Sequence, residues 1–374
     1  MERLYWNNDW KFAETWEEAM KEAVYPENEM EDVRLPHTCK ELPYHYFDEH
    51  AYQMLCGYRR HFMAPEAWQG KSVELTFEGV AHDAVVYVNG TEVKAHHCGY
   101  TAFSVELAKY LKYGEDNVLA VRVDSRENLN IPPFGYAIDY MTFGGMYREV
   151  YVQVRNKTHL ADVFVKSQIH PLQVTTEITV QNISDGITLQ QEIRKKGEGA
   201  YSPLGKKPVK QANVQTVFPV QEICLWEPEN PHLYEIRTSL WKNGEMIDAR
   251  VDITGFREAG FRKDGFYLNG KKLRLRGLNR HQSYPYVGYA APASMQIFDA
   301  DILKKELGVN AVRTSHYPQS QDFIRRCDEI GLLVFTEFPG WQHIGDEEWK
   351  RQAVQNLKAV SYTHLRAHET LMNL

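Results

Sequence analysis

Arg276-Gly277-Leu278-Asn279-Arg280-His281 and, one helix length on, Asn310-Ala311-Val312-Arg313-Thr314-Ser315-His316-Tyr317-Pro318 each pass from an apolar strand into a burst of Asn, Arg and His. Leu332-Leu333-Val334-Phe335 ends the same way, in Thr336-Glu337. The intervening spacing predicts amphipathic helices over 295–307 and 319–330, with another over 347–360. Strand and helix alternate three times, which is the pattern of βαβ units around a parallel sheet. A parallel β/α barrel presents its chemistry at the C-terminal ends of its strands, where these polar bursts fall. Closing such a barrel takes eight units, so three predict an incomplete (β/α)8 barrel over 255–360, with strands one and three as unpaired edges.

Upstream the period changes. Trp226-Glu227-Pro228-Glu229-Asn230-Pro231-His232-Leu233-Tyr234 cannot be helix or central strand, because its prolines fix φ and remove donors. It reads as a rigid crossing packed by Trp and Tyr. Before it, 158–254 predicts an immunoglobulin-like sandwich without the disulfide, with strands near 162–168, 174–181, 190–194, 234–241 and 246–253 and a Gly/Pro/Lys-rich loop over 195–210. Residues 1–157 predict a jelly-roll-like sandwich with strands at 72–78, 84–88, 92–95, 117–123 and 148–154. Asn89-Gly90, Asn243-Gly244 and Asn269-Gly270 each mark a tight hairpin, since both residues tolerate positive φ. The class is multidomain, β followed by α/β.

At 374 residues the chain can bury several cores, and its 43% hydrophobic and 25% charged content is ordinary for globular domains. A net charge of -7 with both signs interspersed gives no footprint for nucleic acid or an anionic membrane, so a small neutral partner is expected. No apolar leader opens the sequence, and the five cysteines fit no metal or redox spacing, which predicts a reduced, cytoplasmic protein. The 22 Tyr and 8 Trp suit stacking against sugar C–H faces, although strands and cores use aromatics too.

These residues resemble glycoside hydrolase family 2, the β-galactosidase and β-glucuronidase family. The Trp226 to Tyr234 crossing, Gly255-Phe256-Arg257 and the two strand-end motifs match the family's barrel entry. Leu35-Pro36-His37, Tyr87-Val88-Asn89-Gly90, His96 with Gly99-Tyr100, and Asp139 followed by Gly145-Met146-Tyr147-Arg148 are similar to its first domain. The resemblance implies hydrolysis of terminal β-linked sugars with retention, β-galactosides being the first expectation and β-glucuronides the alternative. It implies no required cofactor, sodium or magnesium as options in a longer parent, and homo-oligomers there. It also implies an acid/base Glu after strand four and a nucleophilic Glu near strand seven, neither of which the sequence contains. A retaining glycosidase needs two carboxyl groups, so the 374 residues are expected to be inactive alone.

The resemblance further implies that Asp139, Asn279, His281, Arg313, His316, Glu337 and Trp341 surround a sugar. Each has a plainer reading: the histidines could cap strands, Arg313 could form a barrel-core ion pair, Asp139 could be solvated and Trp341 could be core. Trp341 stands where the large β-galactosidases carry a magnesium-binding Glu, which puts that metal in doubt although His343 matches its histidine. Asp139 and His343 are the remaining metal candidates. Residues 361–374 lack the apolar period of a fourth strand and read as a non-native tail like translated adapter DNA, with a divergent native tail as the other option. A rival from another class is a non-catalytic carbohydrate-binding protein made of the two sandwiches.

Overall fold

The computed structural model of the chain describes residues 3–45, 48–134, 138, 140–340 and 343–360. Asp139, Trp341 and the expected tail at 361–374 lie outside the described residues.

The first unit is a β-sandwich. One sheet runs in the order Leu4–Tyr5, Val150–Arg155, Ser72–Phe77, Phe103–Glu106, and the other Glu31–Val33, Trp10–Ala13, Leu55–Met63, Asp116–Asp124, Asp83–Val88, Thr91–His96. Alternation drives the packing: Val73, Leu75 and Phe77 meet Leu119, Val121 and Val123 in one fully buried core.

The second unit packs a three-stranded sheet (His159–Ile169, Leu172–Gln181, Asn213–Pro219) on a four-stranded one (Ser202–Pro208, Ile187–Lys195, Tyr234–Lys242, Glu245–Thr254). The expected disulfide-free sandwich is present, and all five cysteines are unpaired. A buried amide crosses between the sheets instead. Gln191 Nε2 donates to Thr176 and Thr238 hydroxyls at 3.0 Å each, and Thr216 donates to Gln191 Oε1 at 2.5 Å. Such a network specifies the sheet pairing because leaving any member unpaired inside the core is costly.

One expected loop is a strand. Ser202–Pro208, within the predicted loop 195–210, pairs with Ile187–Lys195 at the sheet's edge. An edge position tolerates Pro203 and Pro208, whose missing N–H groups would break a central ladder. Gly205 lies so close to the Phe218 ring that an added Cβ would fall 2.3 Å from it. The three Asn-Gly hairpins hold both residues at positive φ, as at Asn243 (52°) and Gly244 (84°).

Beyond a small antiparallel sheet (Ala259–Arg262, Gly265–Leu268, Lys271–Lys272), three parallel strands follow in sequence order: Gly277–Asn279, Ala311–Thr314 and Leu333–Thr336. Val312 and Val334 face helices Ala293–Asp301 and Gln321–Ile330, packing with Ala300, Leu303, Phe323, Ile324 and Cys327. Ala311, Leu333 and Phe335 face the other way, with Trp226, Phe266 and Leu268. The first helix is shorter than predicted, its last turn being the wider π coil Ile302–Glu306. Gln321–Ile330 starts under a Ser320 cap and ends at Gly331, φ 78°, where a Cβ would lie 2.0 Å from the Pro228 carbonyl. Only glycine permits both that turn and that approach.

The first sandwich docks on this barrel segment through buried polar groups. Glu78, paired with Arg3 at 3.2 Å, sits beside Glu149, Asp322 and Arg325, and burial with the neighbouring Glu149 pushes its carboxyl up to about 7 from the ordinary 4.5. The folded chain therefore binds a proton where the unfolded chain has released it, and stability falls as pH rises from 4.5 to about 7. Glu78→Gln should remove that fall, gaining about 3 kcal/mol at pH 8 and nothing near pH 4, read from denaturation midpoints.

Candidate functional site

The three barrel strands place their polar ends side by side. Asn279 is in register with Arg313, and Arg313 with Phe335, so Asn279, Arg313 and, two residues further, Glu337 share one face by the period of two. Asn279 is exposed at that end.

The centre of the cluster is an ion-paired trio. Arg313 Nε donates to Glu337 Oε1 in a very short contact, and His316 Nδ1 lies 2.8 Å from Glu337 Oε2. Arg313 Nη2 also approaches His316 Nδ1, at 3.4 Å. The Arg313 side chain is 46% exposed, so the pair opens to solvent at the strand ends. Both oxygens of Glu337 are engaged by neighbours that can carry positive charge, an arrangement that holds a carboxylate and its partners in fixed orientation.

His281 joins through an aromatic wall. Its Nδ1 lies 3.2 Å from the Tyr317 hydroxyl, and the Tyr140 ring, from the first sandwich, sits 5.3 Å from His281 and 5.9 Å from His316 between centroids. Tyr317 stacks on Tyr100, also of the first sandwich, at 4.4 Å and 11°. Burial pushes the Tyr317 hydroxyl up to about 12, so it keeps its proton.

Two buried arginines hold the strand ends. Arg148 Nη2 donates to the Pro318 carbonyl (3.0 Å) and to Gln282 Oε1 (3.1 Å). Arg280 Nε donates to Asp299 Oδ2 at 2.8 Å and its Nη2 to Gln296 Oε1 at 2.8 Å, which turns it into the helix layer, away from His281. Sequence reasoning found Asn279, His281, Arg313, His316 and Glu337, and the structure brings these together. It missed Tyr140 and the roles of Tyr100 and Tyr317; the latter two carried a signal, Tyr100 in the Gly99-Tyr100 resemblance and Tyr317 as the middle of His316-Tyr317-Pro318.

Of the two metal candidates, Asp139 lies outside the described residues. His343 packs against Trp349 at 5.9 Å, edge to face, and among the described residues no group of three or more His, Cys, Asp or Glu could hold an ion.

Comparisons with known proteins agree along the chain. Family models described as glycosyl hydrolases family 2, sugar binding domain, glycosyl hydrolases family 2, and glycosyl hydrolases family 2, TIM barrel domain match residues 30–155, 158–257 and 260–372. The last match runs through most of 361–374. A β-galactosidase of Thermoanaerobacter pseudethanolicus is 46% identical over 365 residues, which cover 96% of this chain and 49% of the relative. One of Thermoanaerobacterium thermosulfurigenes is 43% identical, covering 95% of this chain and 51% of the relative. A crystal structure of Bacteroides uniformis β-glucuronidase superposes with a TM-score of 0.88 at 28% identity, over 98% of this chain and 46% of that one. The chain spans about half the length of the curated relatives it matches.

Proposed function

Because this chain belongs to glycosyl hydrolases family 2, we propose that it supplies the sugar-recognition face of a retaining glycosidase for terminal β-linked sugars. The substrate class is β-galactosides, supported by the names of its 46% and 43% identical relatives. One observation carries the reading: Asn279, His281, Arg313, His316 and Glu337 converge at consecutive parallel strand ends beside an aromatic wall. Histidine, arginine and amide groups suit sugar hydroxyls, and the tyrosine faces suit the ring's C–H surface.

The same geometry argues that the 374 residues alone do not hydrolyse a glycoside. Retention needs a proton donor and a nucleophile on two carboxyl groups about 5–5.5 Å apart. Glu337 is the strand-end carboxylate of this cluster, and both its oxygens are already engaged by Arg313 and His316. The purified chain should give no release of nitrophenol from aryl β-galactoside or aryl β-glucuronide above a buffer blank. Turnover of either that Glu337→Gln abolishes would refute this. Binding separates the site from the rival sandwich-only reading: His281→Ala with His316→Ala should weaken methyl β-galactoside binding at least tenfold, whereas a sugar held by the sandwiches would bind unchanged.

A further inference from the structure

Tyr317 is fully buried where the first sandwich meets the barrel segment, yet its hydroxyl reaches a strand-end histidine. That oxygen has two strand-end neighbours, the Gln282 backbone nitrogen at 3.4 Å and His281 Nδ1 at 3.2 Å. A backbone N–H can only donate, so the phenol oxygen is the acceptor toward Gln282 and its own proton has to go elsewhere. The adjacent Tyr289 hydroxyl gives its own proton to the Met141 carbonyl at 2.6 Å, so its oxygen and His281 Nδ1 are the two acceptors open to the Tyr317 proton. An unprotonated imidazole nitrogen is the more basic of the two and so the stronger acceptor.

We propose that Tyr317 is a positioning residue whose hydroxyl donates to His281 Nδ1 and thereby keeps the ring proton on Nε2. An imidazole with one nitrogen occupied as acceptor carries its hydrogen on the other, so the partner of one nitrogen decides what the other offers. His281 then meets a ligand as an N–H donor, the complement of a sugar hydroxyl oxygen; this last step rests on the functional reading above. The first sandwich takes part through Tyr100, whose stacked ring at 4.4 Å fixes the plane of Tyr317, and through Arg148, which holds Pro318 and Gln282 on either side. A domain without a barrel strand thus sets the tautomer of a barrel histidine.

The test is a long-range proton–nitrogen correlation spectrum of the whole chain labelled in its histidines, taken at mildly alkaline pH where ordinary imidazoles are neutral. His281 is assigned by the signal lost in His281→Gln. The expected result is a single tautomer with Nε2 protonated, and in Tyr317→Phe, which keeps the ring and its stack, a mixture of both. A protonated Nδ1 in the unaltered chain overturns the proposal whether or not the variant folds, and so does a Tyr317→Phe spectrum with His281 unchanged. Titration with methyl β-galactoside then keeps the two claims apart: a fixed Nε2–H tautomer whose resonance ignores the sugar sustains the positioning role and removes the sugar reading.

Discussion

Arg148→Met will loosen the barrel segment from the first sandwich by about 3 kcal/mol or more, because one guanidinium serves buried acceptors of both. It donates to the Glu78 and Tyr100 carbonyls of its own unit (3.3 and 3.4 Å) and to Gln282 Oε1 and the Pro318 carbonyl across the seam (3.1 and 3.0 Å). Methionine fills much of the volume but supplies no donor, so those acceptors stay buried and unpaired. Lysine keeps the charge as a single point and cannot span the same fan of partners, so Arg148→Lys should recover less than half of the loss. The readout is limited proteolysis of the 282–292 connection together with denaturation midpoints, since a multi-unit chain need not melt in one step. Faster cleavage there, with the second sandwich melting as before, is the expected pattern. Unchanged cleavage in Arg148→Met would mean that the aromatic stack alone holds the seam.

What could be read from the sequence follows the range of the interactions involved. The Asn-Gly hairpins were legible because two adjacent residues determine their φ, and the barrel strands because they are short apolar runs, such as Leu332 to Phe335, spaced by helix-length segments. Ser202–Pro208 was not, since prolines and lysines disguise an edge strand whose partner lies across a turn. His281, Arg313, His316 and Glu337 were legible as polar bursts after apolar strands. Tyr140 was not, and Tyr100 was quoted only as part of a first-domain resemblance with no place at the site: each comes from the first sandwich, more than a hundred residues away in sequence, and reaches the site only when two separately built units dock. No local pattern records that docking. Asp139 and Trp341, the candidates drawn most directly from family resemblance, fall outside the described residues.

Trp226→Ala should cost about 3–5 kcal/mol, because this one ring is the shared core of three elements. It packs with Leu233 of the crossing, Phe266 and Leu268 of the small sheet, and Ala311 and Leu333 of the barrel strands. The Arg257 guanidinium lies 4.6 Å from its centroid, and Nε1 donates to the Asp328 carbonyl at 2.8 Å near the end of a barrel helix. Gly255 approaches it so closely that a Cβ there would fall 2.9 Å from the Trp226 Cβ, so little slack exists for the neighbours to close the space an alanine would leave. Trp226→Phe separates the two contributions. It keeps most of the packing but drops the indole N–H, leaving the Asp328 carbonyl short of a donor for about 1–2 kcal/mol. Chemical denaturation of the three chains should rank them unaltered, Phe, Ala. If Phe and Ala fell together, the hydrogen bond to the barrel helix would be the tie and the ring mere filler; if neither moved the midpoint, the crossing would not couple the second sandwich to the barrel at all.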